Sequence, residues 1–167
     1  KKIGESLIPE LAQTAAKKPS QFSEKFSPVF LQSGNGAVVK DLEGNYLIDT
    51  IMSIGPLILG YNNPNTNKAI INQLKNGIIF SLINPLEIKL ATKLKKIIPN
   101  MDMFRFSKTG VDVTSAAIRA ARNFTQKNSI ISCGYHGWHD WNAISLNNYS
   151  GVPSFNKKFI KKVQYNN

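Results

Sequence analysis

The pattern of apolar and polar residues in the second half of the chain changes from that of a strand to that of a helix and back. The apolar run 101–106 predicts a strand, and the alanine-rich stretch 111–124 predicts a helix. The run 129–133 predicts a second strand, followed by a loop of aromatic residues and histidines over 134–141. A long helix of small residues that leaves a strand is typical of a helix packed tightly on a parallel sheet. The pattern therefore indicates the beginning of an α/β layer structure.

Shorter elements are predicted before this unit, in the order helix, hairpin, helix, helix. The hairpin pairs two β-prone runs that are joined by residues typical of turns. The two later helices begin at Asn-Pro pairs, which suit a first helical turn, and end at Asn-Gly and Pro-Asn pairs. Residues 51–61 contain Gly55 and Pro56 and predict a buried loop rather than a helix. The predicted elements cover residues 4–17, 36–49, 63–77 and 84–100.

This order of elements predicts the domain organisation. Residues 1–60 form an N-terminal segment with a β-hairpin, and residues 61–167 form the first part of a larger α/β domain. Two strands and one crossover helix do not complete a sheet that is covered on both faces, so the later strands must come from residues outside this sequence. Neither end resembles a natural terminus. We therefore expect the chain to be a piece of a longer polypeptide.

Composition and charge narrow the class of protein. The 167 residues are 42% hydrophobic and 10% aromatic, as in a globular protein, and carry a formal net charge of +11. The lysines form no basic tract interleaved with aromatic residues, so we expect no nucleic-acid binding. The single cysteine, Cys133, excludes an internal disulfide and fits a reducing compartment. The most apolar run is too short to cross a membrane and no secretory signal is visible, so we expect a soluble, cytoplasmic protein without membrane contact.

The turn before the helix 111–124 has two interpretations. Thr109 and Asp112 match a capping box, a common way of starting a helix that needs no ligand. Alternatively, Gly110 lets a ligand approach closely, and the free amide groups of Gly110 and Val111 at a helix N-terminus suit an anion such as phosphate. The sequence has neither the Gly-Lys end of a P-loop nor the three-glycine pattern of a dinucleotide-binding fold. The residues of the turn leave both interpretations open.

The loop after the second predicted strand has three interpretations. Cys133, His136 and His139 are three apart, but three metal ligands within seven residues would be cramped, and we expect no metal. A nucleophilic Cys–His pair is disfavoured because Cys133 follows a strand that looks buried. In the third interpretation, Tyr135 stacks on a flat ring whose phosphate lies at the neighbouring helix N-terminus. A planar ring that carries one phosphate describes pyridoxal 5′-phosphate (PLP).

Four longer motifs occur along the chain in a fixed order. They are Gly34-Asn-Gly-Ala with Asp41-Leu-Glu-Gly-Asn-Tyr-Leu-Ile-Asp49, Gly55-Pro-Leu-Ile-Leu-Gly60-Tyr-Asn-Asn-Pro64, Phe106-Ser-Lys-Thr-Gly-Val-Asp112, and Gly134-Tyr-His-Gly137. Taken together over residues 28–167, they resemble the N-terminal part of the class-III PLP-dependent aminotransferases, close to the glutamate semialdehyde aminomutase branch. The resemblance implies an α/β chain with part of the PLP-dependent transferase type-I fold, and PLP as cofactor.

The resemblance also implies roles for individual residues. Val111 replaces a threonine of the family and loses one hydrogen bond to the cofactor phosphate, worth about 1.5–3 kcal/mol at most. Ile54 replaces a tryptophan near the substrate, so the substrate of the aminomutase is not implied for this chain. The residues at matching positions are Thr109, Gly110 and Val111 at the phosphate, Tyr135 stacked on the ring with His136 as its neighbour, and Ser53 and Ile54 near the substrate.

The same resemblance limits what this chain does by itself. In the family, the lysine that forms the Schiff base and the aspartate that holds the proton of the ring nitrogen lie well after the Tyr-His-Gly motif, beyond Asn167. No catalytic residue is therefore expected in this chain, and Lys108, in the phosphate turn, suits charge neutralisation instead. We expect no turnover by the 167 residues alone. For the full-length protein we expect a homodimer that takes a small-molecule amino donor and a carbonyl acceptor.

Two alternatives keep the fold without that chemistry. The chain could belong to a non-catalytic α/β binding module, or to a degenerate paralogue that has lost catalysis. The missing hydroxyl at Val111 and the truncated end both favour these alternatives.

Overall fold

Residues 1–23, 25–145 and 150–166 are described by the computed structural model and divide into two units. One unit spans Lys1–Ile83 and the other Asn84–Asn167. The predicted division into residues 1–60 and 61–167 stays a prediction. None of the helices in the described ranges combines the length and the apolar character of a membrane span.

The first unit begins with a helix that is shorter than predicted. Helix α1 covers Lys2–Leu7, and three 3-10 turns follow it. The prediction of one helix over 4–17 is wrong beyond Leu7, because Pro9 disfavours helical dihedrals in the residue before it. Ile8 is accordingly extended, with φ −126° and ψ 113°. The three turns cover Pro9–Leu11, Ala15–Lys17 and Pro19–Gln21.

A three-stranded antiparallel sheet with the order β1-β2-β3 forms in the first unit. Strands β2 (Val38–Asp41) and β3 (Tyr46–Ile48) form the predicted hairpin, with Val39 opposite Leu47. Strand β1 (Leu31–Asn35) was not predicted, because its sequence Leu-Gln-Ser-Gly-Asn lacks the alternation of a strand. The hairpin prediction is confirmed because its signal lay in a local turn.

Asp41 closes the turn of the hairpin from a buried position. Its carboxylate accepts hydrogen bonds from the backbone amide of Asn45 at 2.8 Å and from Asn45 Nδ2 at 2.9 Å. These bonds, the side-chain bond above all, hold the pKa of Asp41 below its ordinary value because they favour the ionised carboxylate. A buried carboxylate is thereby satisfied within its own turn.

Residues 51–61 form turns and no helix, as predicted. The burial predicted for them is wrong in this chain, since Ile58 and Leu59 are 80% and 68% exposed. An interrupted apolar run indicates that burial is needed, but the residues that would cover it are not set by the run itself.

Helices α2 (Pro64–Leu74) and α3 (Pro85–Ile97) begin at the two predicted Asn-Pro pairs, one in each unit. The Asn63 side chain accepts hydrogen bonds from the first free amides of α2, at 3.1 Å each. The Asn84 side chain does the same for α3. The Glu87 carboxylate accepts a hydrogen bond from the Asn84 amide, which completes a capping box. Both predictions are confirmed because caps act within one helical turn.

The second unit continues with helix α4 (Gly110–Thr125) and strand β4 (Ile130–Cys133), close to the predicted ranges. After the short helix α5 (Asp140–Ala143) and a 3-10 segment, strand β5 (Ile160–Val163) pairs with β4 in parallel. This pair confirms the predicted parallel arrangement. None of the described residues of α4 is fully buried, so the tight packing predicted for this helix is not seen in this chain.

The strand predicted over 101–106 is wrong. Within the described ranges, these residues join no ladder of backbone hydrogen bonds, and β4 pairs with β5 instead. A strand requires a neighbouring strand for its backbone groups. An apolar run predicts an extended segment without saying whether a partner strand is available.

Much apolar surface is exposed on both units. The accessible surface is 14,163 Å², whereas about 8,200 Å² is expected for a self-contained protein of this mass. The fully buried apolar side chains in the described ranges are Val39 in the first unit and Ala143 and Ile144 in the second. Large side chains such as Phe124 and Met103 are about nine-tenths exposed.

Candidate cofactor-phosphate site

The first turn of α4 is organised by Thr109 and Asp112. Thr109 Oγ1 accepts from the Asp112 amide at 3.3 Å and donates to Asp112 Oδ2 at 2.6 Å. The Thr109 amide donates to the same carboxylate oxygen at 3.2 Å. The capping box predicted from the sequence is therefore formed. The Asp112 carboxylate accepts from both the hydroxyl and the amide of Thr109.

The next two amides remain available for an anion. The amide groups of Gly110 and Val111 donate to no backbone carbonyl among the residues that the structure describes. They stand at the positive end of the dipole of a 16-residue helix. A Cβ placed on Gly110 would meet nothing within 4 Å, so the space in front of the turn is open. The capping box and an anion seat coexist here, because they use different amides.

The loop Gly134–Gly137 lies directly against this turn. Gly137 has a φ of +110°, and a Cβ added there would lie 2.7 Å from Val111 Cβ. Thr114 Oγ1 donates to the carbonyl of His136 at 3.2 Å. The structure thus brings together the first turn of α4 and the aromatic loop, two stretches that lie more than twenty residues apart in the sequence.

The two side chains of the loop differ in how far they are engaged. Tyr135 is 67% exposed, so its ring is available to a ligand. His136 is held by its own loop, with Nε2 2.6 Å from the carbonyl of Cys133. Its ring also stacks on that of Trp141, at 6.3 Å between centroids and 19° between planes. The Tyr135 ring is therefore exposed to solvent, whereas the His136 ring already contacts Cys133 and Trp141.

The metal interpretation of this loop finds no geometric support in the described ranges. No three side chains among histidine, cysteine, aspartate and glutamate there come together in a way that could hold an ion. His136 faces the backbone of Cys133, and His139 faces α4. The spacing of three residues in the sequence does not produce a common centre.

A second group of side chains, which the sequence analysis missed, joins the loop to α4. Ser115 Oγ lies 2.7 Å from His139 Nδ1, and Trp141 Nε1 donates to the same oxygen at 2.9 Å. Asn142 is fully buried and donates from Nδ2 to the carbonyl of Gly137 at 2.5 Å. The position of Ser115, one helical turn after Val111, is the signal that could have revealed this contact.

Ser115, His139 and Trp141 also border a cavity of about 550 Å³ in the second unit. Its polar lining includes Arg119 and Arg122 of α4, next to Ser115 and His139. Arg122 is partly engaged, since its Nε donates to the carbonyl of Asn128 at 2.9 Å.

Ser53 and Ile54 belong to the first unit and lie in an unusual turn. Met52, Ser53 and Ile54 have φ values of 51°, 53° and 68°, in the left-handed region that costs energy for residues with a side chain. The Asp49 carboxylate holds the turn by accepting from the amides of Ile51, Met52 and Ser53, at 2.9, 3.2 and 3.4 Å. The two predicted substrate residues border a cavity of about 410 Å³ in this unit.

Tyr61 supports that turn through Asp49. Its hydroxyl donates to Asp49 Oδ2 at 2.6 Å, and a Cβ on Gly34 would lie 2.5 Å from the Tyr61 ring. The bond from Tyr61 holds the pKa of Asp49 below its ordinary value, and the nearby carboxylate raises the pKa of Tyr61 to about 12. Gly34, Asp49 and Tyr61 come from two of the four sequence motifs, which here serve to position the turn.

Comparison with known proteins adds to this geometry. Residues 20–166 match the model of the family described as Aminotransferase class-III. The chain is similar to 3-aminobutyryl-CoA aminotransferase of Cloacimonas acidaminovorans (strain Evry), at 39% identity over 151 residues, which cover 90% of this chain and 36% of the relative. It is also similar to glutamate-1-semialdehyde 2,1-aminomutase of Methanococcoides burtonii, at 40% identity over 132 residues, covering 78% and 31%.

A solved structure shares the fold. The FumI protein of Sphingopyxis sp. MTA144, in a PLP-containing form, superposes with a TM-score of 0.89 at 25% identity. The superposition covers 99% of this chain and 39% of that structure. The chain thus spans about a third of the length of the curated relatives named above.

Proposed function

The chain belongs to the class-III aminotransferase family, and we propose that it forms the phosphate-binding part of an aminotransferase or aminomutase. The whole protein would move an amino group between an amino compound and a carbonyl compound. The cofactor of this family is pyridoxal 5′-phosphate. The observation that carries the proposal is the contact between the α4 turn and the Tyr135 loop, which offers anion-binding amides beside a free aromatic ring.

The residues of the site fit a ring that carries one phosphate. The free amides of Gly110 and Val111 would bind the phosphate, and Tyr135 would stack on the ring. Val111 supplies its amide without the hydroxyl of a threonine. When bound, PLP supplies an electron sink for the carbon that carries the amino group. The residues of this chain would bind and orient the cofactor, and the proposed catalytic lysine and aspartate have no counterpart among them.

We also propose the position of the substrate. Ser53 and Ile54 stand where the family meets its substrate, and the turn that carries them is held by Asp49. Since Ile54 replaces a tryptophan, we expect a wall of different shape from that of the aminomutase. The relatives at 39% and 40% identity carry an aminotransferase and an aminomutase name, so the proposal extends to both reaction types.

The decisive experiment compares PLP with unphosphorylated pyridoxal in a titration of the protein. We expect PLP to bind more tightly, because only PLP reaches the amides of Gly110 and Val111. Gly110→Asp should abolish this preference by placing a negative charge at the phosphate, whereas Gly110→Asn has the same size and no charge. Equal affinity for the two compounds, or equal effects of the two substitutions, would overturn the proposal.

A degenerate paralogue is the second candidate, favoured by the valine at position 111. Val111→Thr would restore the hydroxyl. If the protein turns over amino donors and the substitution strengthens PLP binding by about tenfold, the catalytic proposal stands. PLP binding without turnover by the whole protein would favour the degenerate paralogue.

The 167 residues alone should not turn over any amino donor, since the two roles that the chemistry needs are unfilled in them. For the whole protein we propose a homodimer in the cytoplasm, which the single cysteine, Cys133, supports for a reducing compartment. A change of PLP absorbance when an amino donor is added to the isolated 167-residue chain would contradict the expected lack of turnover.

A further inference from the structure

The hydroxyl of Ser115 is shared between two side chains that follow the Gly134–Gly137 loop, His139 at the start of α5 and Trp141 within it. An indole N–H only donates, so Ser115 Oγ accepts from Trp141. We assign the hydroxyl hydrogen of Ser115 to His139 Nδ1, which leaves the imidazole hydrogen on Nε2. The three side chains then form one chain of hydrogen bonds that runs from Trp141 in α5, through Ser115 in α4, to His139 at the start of α5.

These contacts continue the ones already described at the start of α4. Val111 and Ser115 are four residues apart, so they lie on one face of the helix, with Thr114 beside them. Each contacts a different residue between His136 and His139. The resulting row of contacts is Val111 with Gly137, Thr114 with the carbonyl of His136, and Ser115 with His139.

A segment held at three points cannot slide along the helix without breaking several contacts at once. Tyr135 itself is exposed and makes no ring contact that would fix it within the described ranges. Its position relative to the amides of Gly110 and Val111 therefore depends on the residues that follow it. Of these, His139 is the first whose side chain bonds to a side chain of α4, and the bond is to Ser115.

We propose that Ser115 and His139 are positioning residues of the cofactor site. They hold the Tyr135 loop on α4, so that the stacking ring and the phosphate amides keep the spacing that PLP requires. The proposal rests on the proposed function for the identity of the ligand, but the contact between loop and helix exists without it.

The test compares four variants with the wild-type protein. Ser115→Ala removes the shared hydroxyl, and His139→Gln removes the group at the Nδ1 position. His139→Asn keeps a polar atom at the Nδ1 position and is the conservative variant. Thr125→Ala is the matched control, because it also removes a hydroxyl from α4, one that donates to the carbonyl of Ala121 and accepts from the amide of Lys127, away from the loop.

Two measurements are made on each variant. Amide hydrogen exchange over 134–139 without cofactor reports the loop alone, and PLP affinity with the circular dichroism of bound PLP reports the site. We expect Ser115→Ala and His139→Gln to speed exchange and weaken PLP binding by about tenfold each, with altered dichroism. His139→Asn and Thr125→Ala should stay within about twofold of wild type.

The outcomes separate this inference from the proposed function. Unchanged exchange and unchanged PLP affinity in both Ser115→Ala and His139→Gln would overturn the positioning role. Equal losses in His139→Asn and His139→Gln would overturn it too, since a general packing defect would then explain both. The wild-type protein could bind no PLP while Ser115→Ala and His139→Gln still exchange faster than wild type. That result would support the contact between loop and helix and overturn the proposed function alone.

Discussion

At the scale of single residues, the candidate site depends on Gly137, because a glycine has no side chain that would collide with Val111. Gly137 combines a φ of +110° with a close approach to Val111. Gly134, in the same loop, has a φ of +83° and no atom within 4 Å of a built Cβ. The pair separates the cost of a left-handed backbone from the cost of crowding.

Gly137→Ala should therefore destabilise the protein more than Gly134→Ala. We expect about 1–2 kcal/mol for Gly134→Ala from the left-handed backbone alone. Overpacking against Val111 adds about 1–3 kcal/mol for Gly137→Ala. Urea unfolding of the two variants measures the difference in free energy of unfolding. Equal costs would show that Gly137 and Val111 are not in close contact.

The Asp49–Tyr61 pair makes stability depend on pH at both extremes. The folded state holds the proton of Tyr61 more tightly, so this contribution is present below the ordinary pKa of 10.0 and is lost as the pH rises towards 12. It holds the proton of Asp49 less tightly, so that contribution is present above 3.8 and is lost as the pH falls below it.

An ultraviolet titration of the phenolate measures this directly. The absorbance change that the wild-type protein shows and Tyr61→Phe lacks belongs to Tyr61. We expect it to give a pKa of about 12. Asp49→Asn should return that pKa towards 10.0, because the hydrogen bond to a carboxylate and the negative charge that opposes ionisation are both gone. A Tyr61 signal that titrates at its ordinary pKa in the wild-type protein would contradict the hydrogen bond.

At the scale of elements, α3 and α4 start with the same device and differ in what lies beside it. Both have a capping box, closed by Glu87 in α3 and by Asp112 in α4. Only the box of α4 adjoins the free amides of Gly110 and Val111. The two caps therefore form a matched pair, one with a structural role only and one beside the proposed phosphate site.

Asn84→Ala and Thr109→Ala should each cost about 0.5–2 kcal/mol of stability, because each leaves helix amides without a partner. Only Thr109→Ala should also weaken PLP binding, since the turn that presents the phosphate amides then frays. Thermal unfolding and PLP titration of both variants test this. An equal loss of PLP affinity in Asn84→Ala would indicate a general effect of stability.

At the scale of the whole molecule, the amount of exposed apolar surface exceeds what the chain can cover by itself. Its accessible surface is 14,163 Å², against about 8,200 Å² for a self-contained protein of this mass. Apolar surface of this extent is normally covered by further chain or by a partner. The short span of the chain relative to its relatives is consistent with this surplus.

The isolated 167-residue chain should therefore bind a hydrophobic dye and associate with itself. Dye fluorescence and sedimentation at several protein concentrations measure the two effects. We expect both to fall in a protein that also contains the remaining length of the family fold. A monodisperse chain without dye binding would show that the exposed side chains find cover within the 167 residues.

The sequence by itself determined those features whose cause lies within a few residues. The caps at Asn63, Asn84 and Thr109 act within one helical turn, and the hairpin turn closes on Asp41, so each was predictable. The family was also determined, because its motifs are ordered along the chain. Pro9 is a local signal as well, because it makes Ile8 extended and so ends the first helix at Leu7.

Only the tertiary structure decided which distant residues meet. The pairing of β4 with β5, and the failure of 101–106 to form a strand, depend on where a partner strand lies. The contact of Gly137 with Val111, and that of Ser115 with His139, join residues about 24 apart or more. Such contacts arise from packing rather than from local propensity. The sequence thus named both halves of the candidate site, and packing alone put them side by side.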